Sequence, residues 1–425
     1  MKSVNLVEEL KNRGLVQDIS DEVELKTSLE KGSLGFYCGF DPTGDSLHVG
    51  HLLPLIALKK IASYGHNVIA LLGSATGMIG DPSGKSEERN LVDIDVINHN
   101  STEIEKQIKK FFDNSTDLKI VKNGDWLSQY SFIEVLRDTG KHFSVNQMIA
   151  RDSVKSRLSQ REQGISYTEF SYMLLQAIDF HHLFKTENCS VQIGGSDQWG
   201  NITSGIDLIR RKENGSKSFG VTIPLLVNSN GKKFGKTENG AVWLSEEKTS
   251  PYAFFQFWIN TTDEDVFNHL RLFTDVPLTE ISEIEEAHSK SPEKRIAQIR
   301  LAQEVSTLIH GKDKAVDAEK ASQILFGNKD AVLTSEGLLL LRDEISTTAF
   351  LKNDFNEMGL PDFLVAVKAS ESKSSARKLI QNGGISINNK KHTDPTESIS
   401  RSTFLDEKAM LLKVGKKNYF LCVLD

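Results

Sequence analysis

Asp41-Pro42-Thr43-Gly44-Asp45-Ser46-Leu47-His48-Val49-Gly50-His51 is the stretch of sequence that decides the fold. It joins an apolar run at 34–40, which predicts a buried strand, to a segment at 50–63 whose apolar residues recur with helical spacing. A second strand is predicted at 67–72. A strand, a helix and a strand in this order predict a parallel sheet with right-handed crossovers. Such sheets bind ligands beyond the carboxyl ends of their strands, so we expect the 41–51 loop to line a binding site.

The rest of the chain extends this sheet and adds further parts. Strand signals at 118–121 and 191–193 continue the sheet, and the pattern from 250 to about 325 is helical. The tail has a helix signal at 374–381 and a strand signal at 384–388. We therefore predict an α/β protein with a Rossmann-like parallel-sheet catalytic domain at 1–225, an α-helical domain at 226–345, a linker at 346–360 and a small αβ domain at 361–425.

Composition and charge narrow the possible classes of protein. The chain has 425 residues and a net charge of −7, and it has no apolar run long enough to span a membrane. Its cysteines, Cys38, Cys189 and Cys422, lie far apart without C-x-x-C spacing, so neither a zinc knuckle nor a disulfide framework is indicated, and we expect a cytoplasmic protein. Residues 361–425 carry a net +4, which leaves −11 on the other 360. The tail is thus a local basic element, although an ordinary solvated face would have the same charge.

The histidine pair at the end of the 41–51 loop suggests phosphate binding. Two histidines three positions apart share one helical face, and the first turn of a helix offers free N–H groups and a positive dipole end. Gly50 would let a flat group such as adenine approach the backbone. A metal site or plain packing is the alternative for His48 and His51, but no third or fourth ligand lies nearby in the sequence.

Two lysine-containing loops add candidate phosphate contacts. Gly80-Asp81-Pro82-Ser83-Gly84-Lys85-Ser86 ends like a P-loop, but Ile79 stands where the first glycine is needed and Pro82 lacks a backbone donor. We expect Asp81 to accept from an ammonium group instead, with Lys85 and Arg89 available to phosphates. Lys233-Phe234-Gly235-Lys236-Thr237 could close over a substrate and stabilise a departing pyrophosphate, although a lysine-rich loop is also common as plain surface.

A helix and a strand end supply the remaining candidates. Tyr172, Gln176 and Asp179 fall on one face of a predicted helix, and their hydroxyl, amide and carboxylate could hold an amino acid with an ammonium at one end and a phenol at the other. An ordinary solvent-facing stripe is the alternative. The segment 192–201 runs from a strand end through a glycine pair into a helix and places Asp197 as an acceptor for ribose hydroxyls, although a tight turn without a ligand would explain the glycines almost as well.

Taken together these motifs resemble the class I aminoacyl-tRNA synthetases and, across almost the whole chain, their bacterial tyrosyl members. His48-Val49-Gly50-His51 matches the HIGH signature with Val for Ile, and the 233–237 loop matches the KMSKS signature in its Phe-Gly-Lys-Thr form. Matches specific to the tyrosyl members are Tyr37-Cys38-Gly39-Phe40-Asp41, the Tyr172, Gln176 and Asp179 helix, and the 192–201 segment.

The resemblance implies a role for each candidate residue. Tyr37 and Asp179 would bind the phenol of tyrosine, Gln198 would orient its carboxylate, and the ammonium would lie among Asp81, Tyr172 and Gln176. Nucleotide contacts are implied for Cys38, Gly39, Asp41, His48, Gly50, His51, Gly195, Asp197 and Lys236. Stabilisation of the α-phosphate and of the leaving pyrophosphate is implied for Thr43, His48, Lys85, Arg89, Lys233, Lys236 and Thr237. The tyrosine carboxylate would attack in line, so no side-chain nucleophile is needed.

The resemblance also implies partners. The substrates would be L-tyrosine, ATP with Mg²⁺ on its phosphates, and tRNA(Tyr), in a homodimer with no organic cofactor, no protein-held metal and no membrane contact. The tail resembles an S4-type RNA-binding module, with phosphate contacts expected from Arg377, Lys378, Lys390 and Lys391. Three alternatives stay open from sequence: a tryptophan-charging paralogue, a small-molecule nucleotidyltransferase and a non-catalytic RNA-binding relative.

Overall fold

The computed structural model describes residues 6–83, 92–113, 118–151, 154–155, 158, 164–227, 234–237, 240–326, 333–415 and 418–425. The chain folds into two compact units. One unit comprises Met1–Thr249 with Thr261–Ala297, and the other comprises Ser250–Asn260 with Gln298–Asp425. Within the described residues, no helix combines the length and the apolarity needed to cross a membrane.

The strands form two main sheets, one in each unit. In chain order they are β1 Asp18–Ile19, β2 Gly35–Phe40, β3 Asn67–Leu72, β4 Leu118–Lys122, β5 Cys189–Gly195, β6 Phe219–Ile223, β7 Lys236–Thr237, β8 Gly240–Ala241, β9 Ser346–Phe350, β10 Met358–Gly359, β11 Ile385–Ile387, β12 Lys390–His392, β13 Ser398–Ile399, β14 Ala409–Val414 and β15 Asn418–Leu424. The first unit has the sheet β1-β6-β5-β2-β3-β4, and the second has β12-β11-β14-β15-β9.

The helices connect these strands and cover their faces. In the first unit they are Leu6–Asn12, Glu22–Lys31, Leu52–Ser63, Thr76–Ile79, Ile94–Phe111, Gly124–Leu127, Phe132–Glu134, Val145–Ile149, Tyr167–Glu187, Trp199–Lys212, Val266–Phe273 and Leu278–Lys290. Pro251–Ile259, Lys312–Phe326, Ser335–Leu339, Leu360–Ala366 and Lys373–Gln381 lie in the second unit, as does nearly all of Ile296–His310.

The order of the strands in the first sheet creates the binding crevice. Strands β2 to β6 run parallel, and β1 lies antiparallel at the edge beside β6. From β2 the chain moves to β3 on one side and later returns to β5 on the other side of β2. Open parallel sheets bind ligands outside the carboxyl ends of their strands where the order reverses in this way. The predicted Rossmann-like sheet is confirmed, and its crevice lies beyond β2 and β5.

The first crossover differs from its prediction in one detail. The predicted helix at 50–63 is divided into a 3₁₀ turn at Val49–His51 and an α-helix at Leu52–Ser63. Pro54 therefore lies in the first helical turn, where its missing N–H has no partner to lose. The histidine motif occupies the tighter turn.

The segment predicted as a linker, 346–360, contains two strands that belong to two different sheets. It contributes β9, which pairs in parallel with β15, and β10, which pairs with β13. Strand β9 is an edge strand with little burial, so its sequence lacks the alternating apolar pattern that identifies a strand.

The helical segment and the αβ tail share a hydrophobic core within the second unit. One face of β14 and β15 packs on the helices Leu360–Ala366 and Lys373–Gln381, and the opposite face packs on the helices Lys312–Phe326 and Ser335–Leu339. The buried residues of this second contact are Ala321, Leu325, Leu338, Leu341, Ala409, Leu411, Leu421 and Val423. A continuous apolar run is typical of strands covered on both faces, and both strands have one.

Candidate active site

The 3₁₀ turn after β2 brings the two motif histidines into contact. Their ring centroids are 4.0 Å apart and stacked, since three residues per turn place positions 48 and 51 one above the other. His48 Nδ1 accepts from the Gly50 N–H at 3.0 Å, and His51 Nδ1 accepts from the His48 N–H at 3.1 Å. Because each Nδ1 is an acceptor, a neutral ring carries its proton on Nε2. The pair can therefore offer two imidazole N–H donors.

The charge state of His51 decides what the pair can do. Burial is the main cause that lowers the pKa of His51 to about 3, and electrostatic repulsion from the neighbouring His48 lowers it further. His51 therefore stays neutral near pH 7 and offers a hydrogen bond instead of a positive charge. A Cβ at Gly50 would lie 2.8 Å from the His48 ring, so the glycine also makes room for the imidazole that caps this turn.

The glycine of the lysine loop lies directly beside the histidine turn. The Val49 N–H donates to the Val242 carbonyl at 3.0 Å, and the Val242 N–H donates to the Gly235 carbonyl at 3.1 Å. Gly235 has a φ of 79°, and a Cβ there would lie 2.5 Å from Val49 Cγ2. The histidine turn and the lysine loop, which are far apart in sequence, are thus in contact. Both are predicted to bind the phosphates of one nucleotide, and that prediction needs them to lie close together.

Aromatic packing fixes the start of the same loop. The Phe234 ring stacks on Phe273 with centroids 5.3 Å apart and meets His269 edge-on at 5.0 Å. Lys236 and Thr237 form β7, but their side chains lie outside the described part of the chain, as do residues 85, 89 and 233 in full.

Tyr37 on β2 and Asp179 on the helix Tyr167–Glu187 are neighbouring buried polar residues, and both are 1% exposed. The Tyr37 hydroxyl has no hydrogen-bond partner among the described residues. Asp179 accepts from Asn123 Nδ2 at 2.9 Å and from Trp126 Nε1 at 2.8 Å. Burial raises the pKa of Asp179 to about 7. The pKa of Tyr37 is also raised, mainly by burial and to a lesser extent by the negative charge of Asp179. Buried polar groups are normally paired, so this hydroxyl beside a carboxylate marks a place for a polar ligand.

A second polar cluster gathers side chains from three elements. Asp81 Oδ2 accepts from Gln198 Nε2 at 2.6 Å. Asn201 Nδ2 donates to Gln176 Oε1 at 2.9 Å and to Gln198 Oε1 at 3.2 Å. The helix Tyr167–Glu187 therefore carries Gln176 toward this cluster and Asp179 toward the Tyr37 end, as its predicted polar face requires.

Asp41, for which a contact with ATP is predicted, binds protein groups with both carboxylate oxygens. Oδ2 accepts from the Tyr172 hydroxyl at 2.7 Å, and Oδ1 accepts from Thr76 Oγ1 at 2.8 Å. Thr76 in turn accepts from Asn123 Nδ2 at 2.9 Å. These contacts link the loop after β2 to Asp179, which Asn123 also binds.

The other predicted nucleotide residues surround the ends of β2 and β5. Cys38 is buried, and burial raises the pKa of its thiol to about 12, whereas Gly39 and Thr43 are exposed. Asp197 lies in the 3₁₀ turn Ser196–Gln198, and a Cβ at Gly195 would lie 2.5 Å from its Oδ1. The glycine therefore leaves space for the Asp197 carboxylate.

The predicted RNA contacts are exposed side chains on two elements of the second unit. Arg377 and Lys378 lie on the helix Lys373–Gln381, and Lys390 and Lys391 lie on β12. None of them belongs to the unit that holds the crevice.

Four residues of the site were not predicted from sequence: Thr76, Asn123, Trp126 and Asn201. Asn123 follows β4 directly, and Thr76 lies just beyond β3. Polar residues at the carboxyl ends of parallel strands face the binding crevice, so strand ends alone could have identified both. Trp126 had no such signal, because its role depends on a contact with Asp179 that spans 53 positions.

Comparisons with known proteins match this site and fold. A family model of class I tRNA synthetases (W and Y) matches residues 29–327, and a model of the tyrosine–tRNA ligase SYY-like C-terminal domain matches residues 342–422. A tyrosine–tRNA ligase of Bacillus velezensis is 47% identical over 421 residues, which is 98% of this chain and 99% of that protein. The chain belongs to the tyrosine–tRNA ligase family. It is an ATP-dependent aminoacyl-tRNA ligase that acts on tyrosine.

Further relatives agree with this assignment. Tyrosine–tRNA ligase 1 of Bacillus subtilis is 46% identical over 421 residues, which is 98% of this chain and 99% of that protein. A solved structure of a C-terminally truncated mitochondrial tyrosyl-tRNA synthetase from Aspergillus nidulans superposes with a TM-score of 0.68 at 35% identity. That match covers 76% of this chain and 94% of the solved one. The tryptophan-charging, nucleotidyltransferase and non-catalytic alternatives are therefore not supported.

Proposed function

We propose that the crevice beyond β2 and β5 activates tyrosine with ATP and that Tyr37 and Asp179 select the amino acid by its phenol. The observation that carries this proposal is the buried Tyr37 hydroxyl, which has no partner among the described residues. A substrate phenol would donate to the Asp179 carboxylate and accept from the Tyr37 hydroxyl. Phenylalanine would leave both groups buried without that partner, and a buried polar group left unpaired costs about 1–3 kcal/mol.

The cluster around Asp81 would hold the other end of the amino acid. Its carboxylate supplies the negative charge that an ammonium needs, and Gln176 and Tyr172 supply further acceptors. Gln198 lies against Asp81 at 2.6 Å, so its amide can orient the adjacent tyrosine carboxylate toward the nucleotide. The ammonium would thus be bound by Asp81 and the phenol by Asp179 with Tyr37. These separate binding groups would fix the direction of the substrate in the site.

The histidine turn and the lysine loop would bind ATP between them. His48 and His51 would donate neutral N–H bonds to the nucleotide. Asp197 would bind the ribose beside Cys38, Gly39 and Gly195, and adenine would lie near Gly50. Charge for the α-phosphate and the pyrophosphate would come from Lys85, Arg89, Lys233 and Lys236, assisted by Thr43 and Thr237. For Asp41 we propose a structural role, because its carboxylate already binds Tyr172 and Thr76.

The reaction needs placement and charge and no protein nucleophile. The tyrosine carboxylate attacks the α-phosphorus, pyrophosphate leaves, and a hydroxyl at the 3′ end of tRNA then attacks the carbonyl carbon and releases AMP. Groups that bind the transition state more strongly than the ground state accelerate the first step. A lysine loop that closes over the substrate can provide such groups. The described residues contain no group of three or more His, Cys, Asp or Glu side chains suited to a metal. Mg²⁺ would thus be held mainly by the ATP phosphates.

For tRNA binding we propose the exposed basic face formed by Arg377, Lys378, Lys390 and Lys391. Phosphate contacts release counterions, so removing a basic side chain that binds a phosphate should reduce the salt dependence of binding. Arg377→Gln combined with Lys391→Gln should lower tRNA affinity and flatten its dependence on salt while pyrophosphate exchange stays unchanged. Unchanged affinity would remove this face from the proposal.

We also propose a cytoplasmic homodimer. The cytoplasmic part rests on the three buried free cysteines. The dimer rests on exposed large apolar side chains that are concentrated in one stretch of the first unit: Tyr130, Phe132, Ile133, Leu136, Val145, Ile149, Leu158 and Tyr167. Apolar groups exposed in this number mark an interaction surface. Phe132→Glu should shift the mass measured by analytical ultracentrifugation from dimer to monomer, and a wild-type monomer would contradict the proposal.

Tyrosine-dependent ATP–pyrophosphate exchange tests the central proposal. The purified protein should exchange with tyrosine and far less with phenylalanine or tryptophan, in the absence of tRNA. Asp179→Ala should lose exchange with tyrosine while its circular dichroism spectrum stays that of the wild type. Wild-type kinetics in that variant would remove Asp179 from the phenol site.

A further inference from the structure

His182 lies one turn after Asp179 on the helix Tyr167–Glu187 and stacks on the Trp126 ring. The ring centroids are 4.3 Å apart, and the planes differ by 11°. Trp126 Nε1 in turn donates to Asp179 Oδ1 at 2.8 Å. A partly exposed imidazole is thus connected through an indole to a carboxylate at the bottom of the crevice.

The orientation of the indole matters because its single N–H donor points in the plane of the ring. A hydrogen bond weakens steeply as its angle departs from linear, so a tilted ring would lose its bond to the carboxylate. Trp126 lies on the four-residue helix Gly124–Leu127. The parallel stack with His182 covers one face of the indole, and Trp126 is only 8% exposed. The imidazole therefore limits rotation of the ring.

We propose that His182 is a positioning residue for tyrosine recognition, which holds the Trp126 indole so that its N–H orients the Asp179 carboxylate toward the phenol. This inference rests on the proposed contact between Asp179 and the substrate. A flat ring at position 182 is what the stack requires, and burial lowers the pKa of His182, which keeps the imidazole uncharged near neutral pH. His182 would act on selectivity without touching the substrate.

The test compares His182→Ala with His182→Phe, which keeps a flat ring, and uses His181→Ala as a matched control. His181 is the adjacent residue on the same helix, but it pairs with Glu213 at 2.6 Å and is not part of the stack. Michaelis constants for tyrosine and ATP, and the ratio of kcat/KM for tyrosine and phenylalanine, are measured by pyrophosphate exchange. Urea unfolding of each variant reports stability.

His182→Ala should raise the tyrosine KM and lower the preference for tyrosine over phenylalanine by roughly fivefold to tenfold, which is less than the full value of a hydrogen bond to a charged group because the bond is weakened and not lost. The ATP KM should not change, and His182→Phe should restore the tyrosine KM to within about twofold. His181→Ala should lower stability without changing selectivity. A purely structural role of His182 would instead change both Michaelis constants together or leave the selectivity ratio unaltered, and either result would overturn the inference.

Asp179→Asn in the same assay separates this inference from the assignment on which it rests. Loss of tyrosine selectivity in Asp179→Asn with none in His182→Ala would overturn the role of His182 alone. Wild-type selectivity in Asp179→Asn would overturn the phenol assignment itself.

Discussion

Gly235→Ala should displace the lysine loop from the histidine turn and slow tyrosine activation. Gly235 adopts a φ of 79°, and its added Cβ would lie 2.5 Å from Val49 Cγ2. Val49 is fully buried, and a β-branched side chain has little rotameric freedom with which to move away. The backbone of the loop must move instead.

The size of the effect follows from this distance. Ordinary carbon contacts begin near 3.4 Å, so the loop must retreat by roughly 1 Å. A misplacement of about 1 Å can reduce a rate about 100-fold where charge must meet a transition state. The left-handed conformation by itself costs an alanine about 1–2 kcal/mol, which affects stability. We therefore expect adenylate formation to slow by about 100-fold with little change in tyrosine affinity.

Gly240→Ala is the matched control on the neighbouring strand. It also has a positive φ, 104°, but a Cβ there would meet no described atom within 4 Å. Its φ lies further from the left-handed region that alanine can adopt, so Gly240→Ala carries backbone strain at least as large, without the displacement. Single-turnover adenylate formation in a stopped-flow instrument should therefore separate the two variants by at least about tenfold, since only one moves charged groups away from the α-phosphate. Equal losses in both variants would refute the argument from contact and leave strain as the cause.

Four further outcomes follow from the structure. Tyr37→Phe should raise the free energy of unfolding by about 1 kcal/mol, because it removes a buried hydroxyl that has no hydrogen-bond partner among the described residues. In pyrophosphate exchange, kcat/KM for tyrosine should fall about threefold to tenfold, because the substrate phenol loses one hydrogen bond. Burial raises the pKa of Asp179 to about 7, whereas the pKa of an aspartate in an unfolded chain is about 3.9. The folded protein therefore favours the neutral carboxyl. The stability that this gives is fully present below about pH 4 and is lost as the pH rises through 7. Urea unfolding should show the wild type losing stability relative to Asp179→Asn between about pH 4 and 7, and a constant difference would contradict the shift. His48→Ala should slow adenylate formation far more than it weakens ATP binding, and equal losses of rate and affinity would count against a transition-state role. Leu421 lies in the core that the helical segment and the tail share, so Leu421→Ala should destabilise the second unit by about 2–5 kcal/mol, which calorimetry would measure. The variant should lose tRNA charging and keep pyrophosphate exchange, which the two activity assays would check.

Local patterns in the sequence were sufficient for the framework and for half of the site. The parallel sheet follows from the strand, helix and strand at 34–72, because crossover handedness leaves few other arrangements. The shared face of Tyr172, Gln176 and Asp179 follows from helical periodicity alone. Backbone geometry fixes such spacings over a few residues, so no tertiary contact was needed to predict them.

Sequence patterns failed where a residue depends on a distant partner. The apolar runs of β14 and β15 were not predicted as strands, and no local pattern shows that the helices Lys312–Phe326 and Ser335–Leu339 cover one of their faces. The segment 346–360 looked like a linker because an edge strand needs only one partner and little apolar surface. Packing between segments decides both cases.

The sequence by itself determined the sheet, the position of the motif histidines after its first parallel strand and the polar face of the helix Tyr167–Glu187, because these follow from local backbone periodicity. Only the tertiary structure decided how these groups act. It placed Gly235 against Val49, made both motif histidines accept at Nδ1, and left the Tyr37 hydroxyl without a partner among the described residues. It also stacked His182 on the indole that binds Asp179. The histidine bonds depend on the local 3₁₀ turn, and the other three depend on close packing between segments remote in the chain, where small differences in distance set the contacts and the burial.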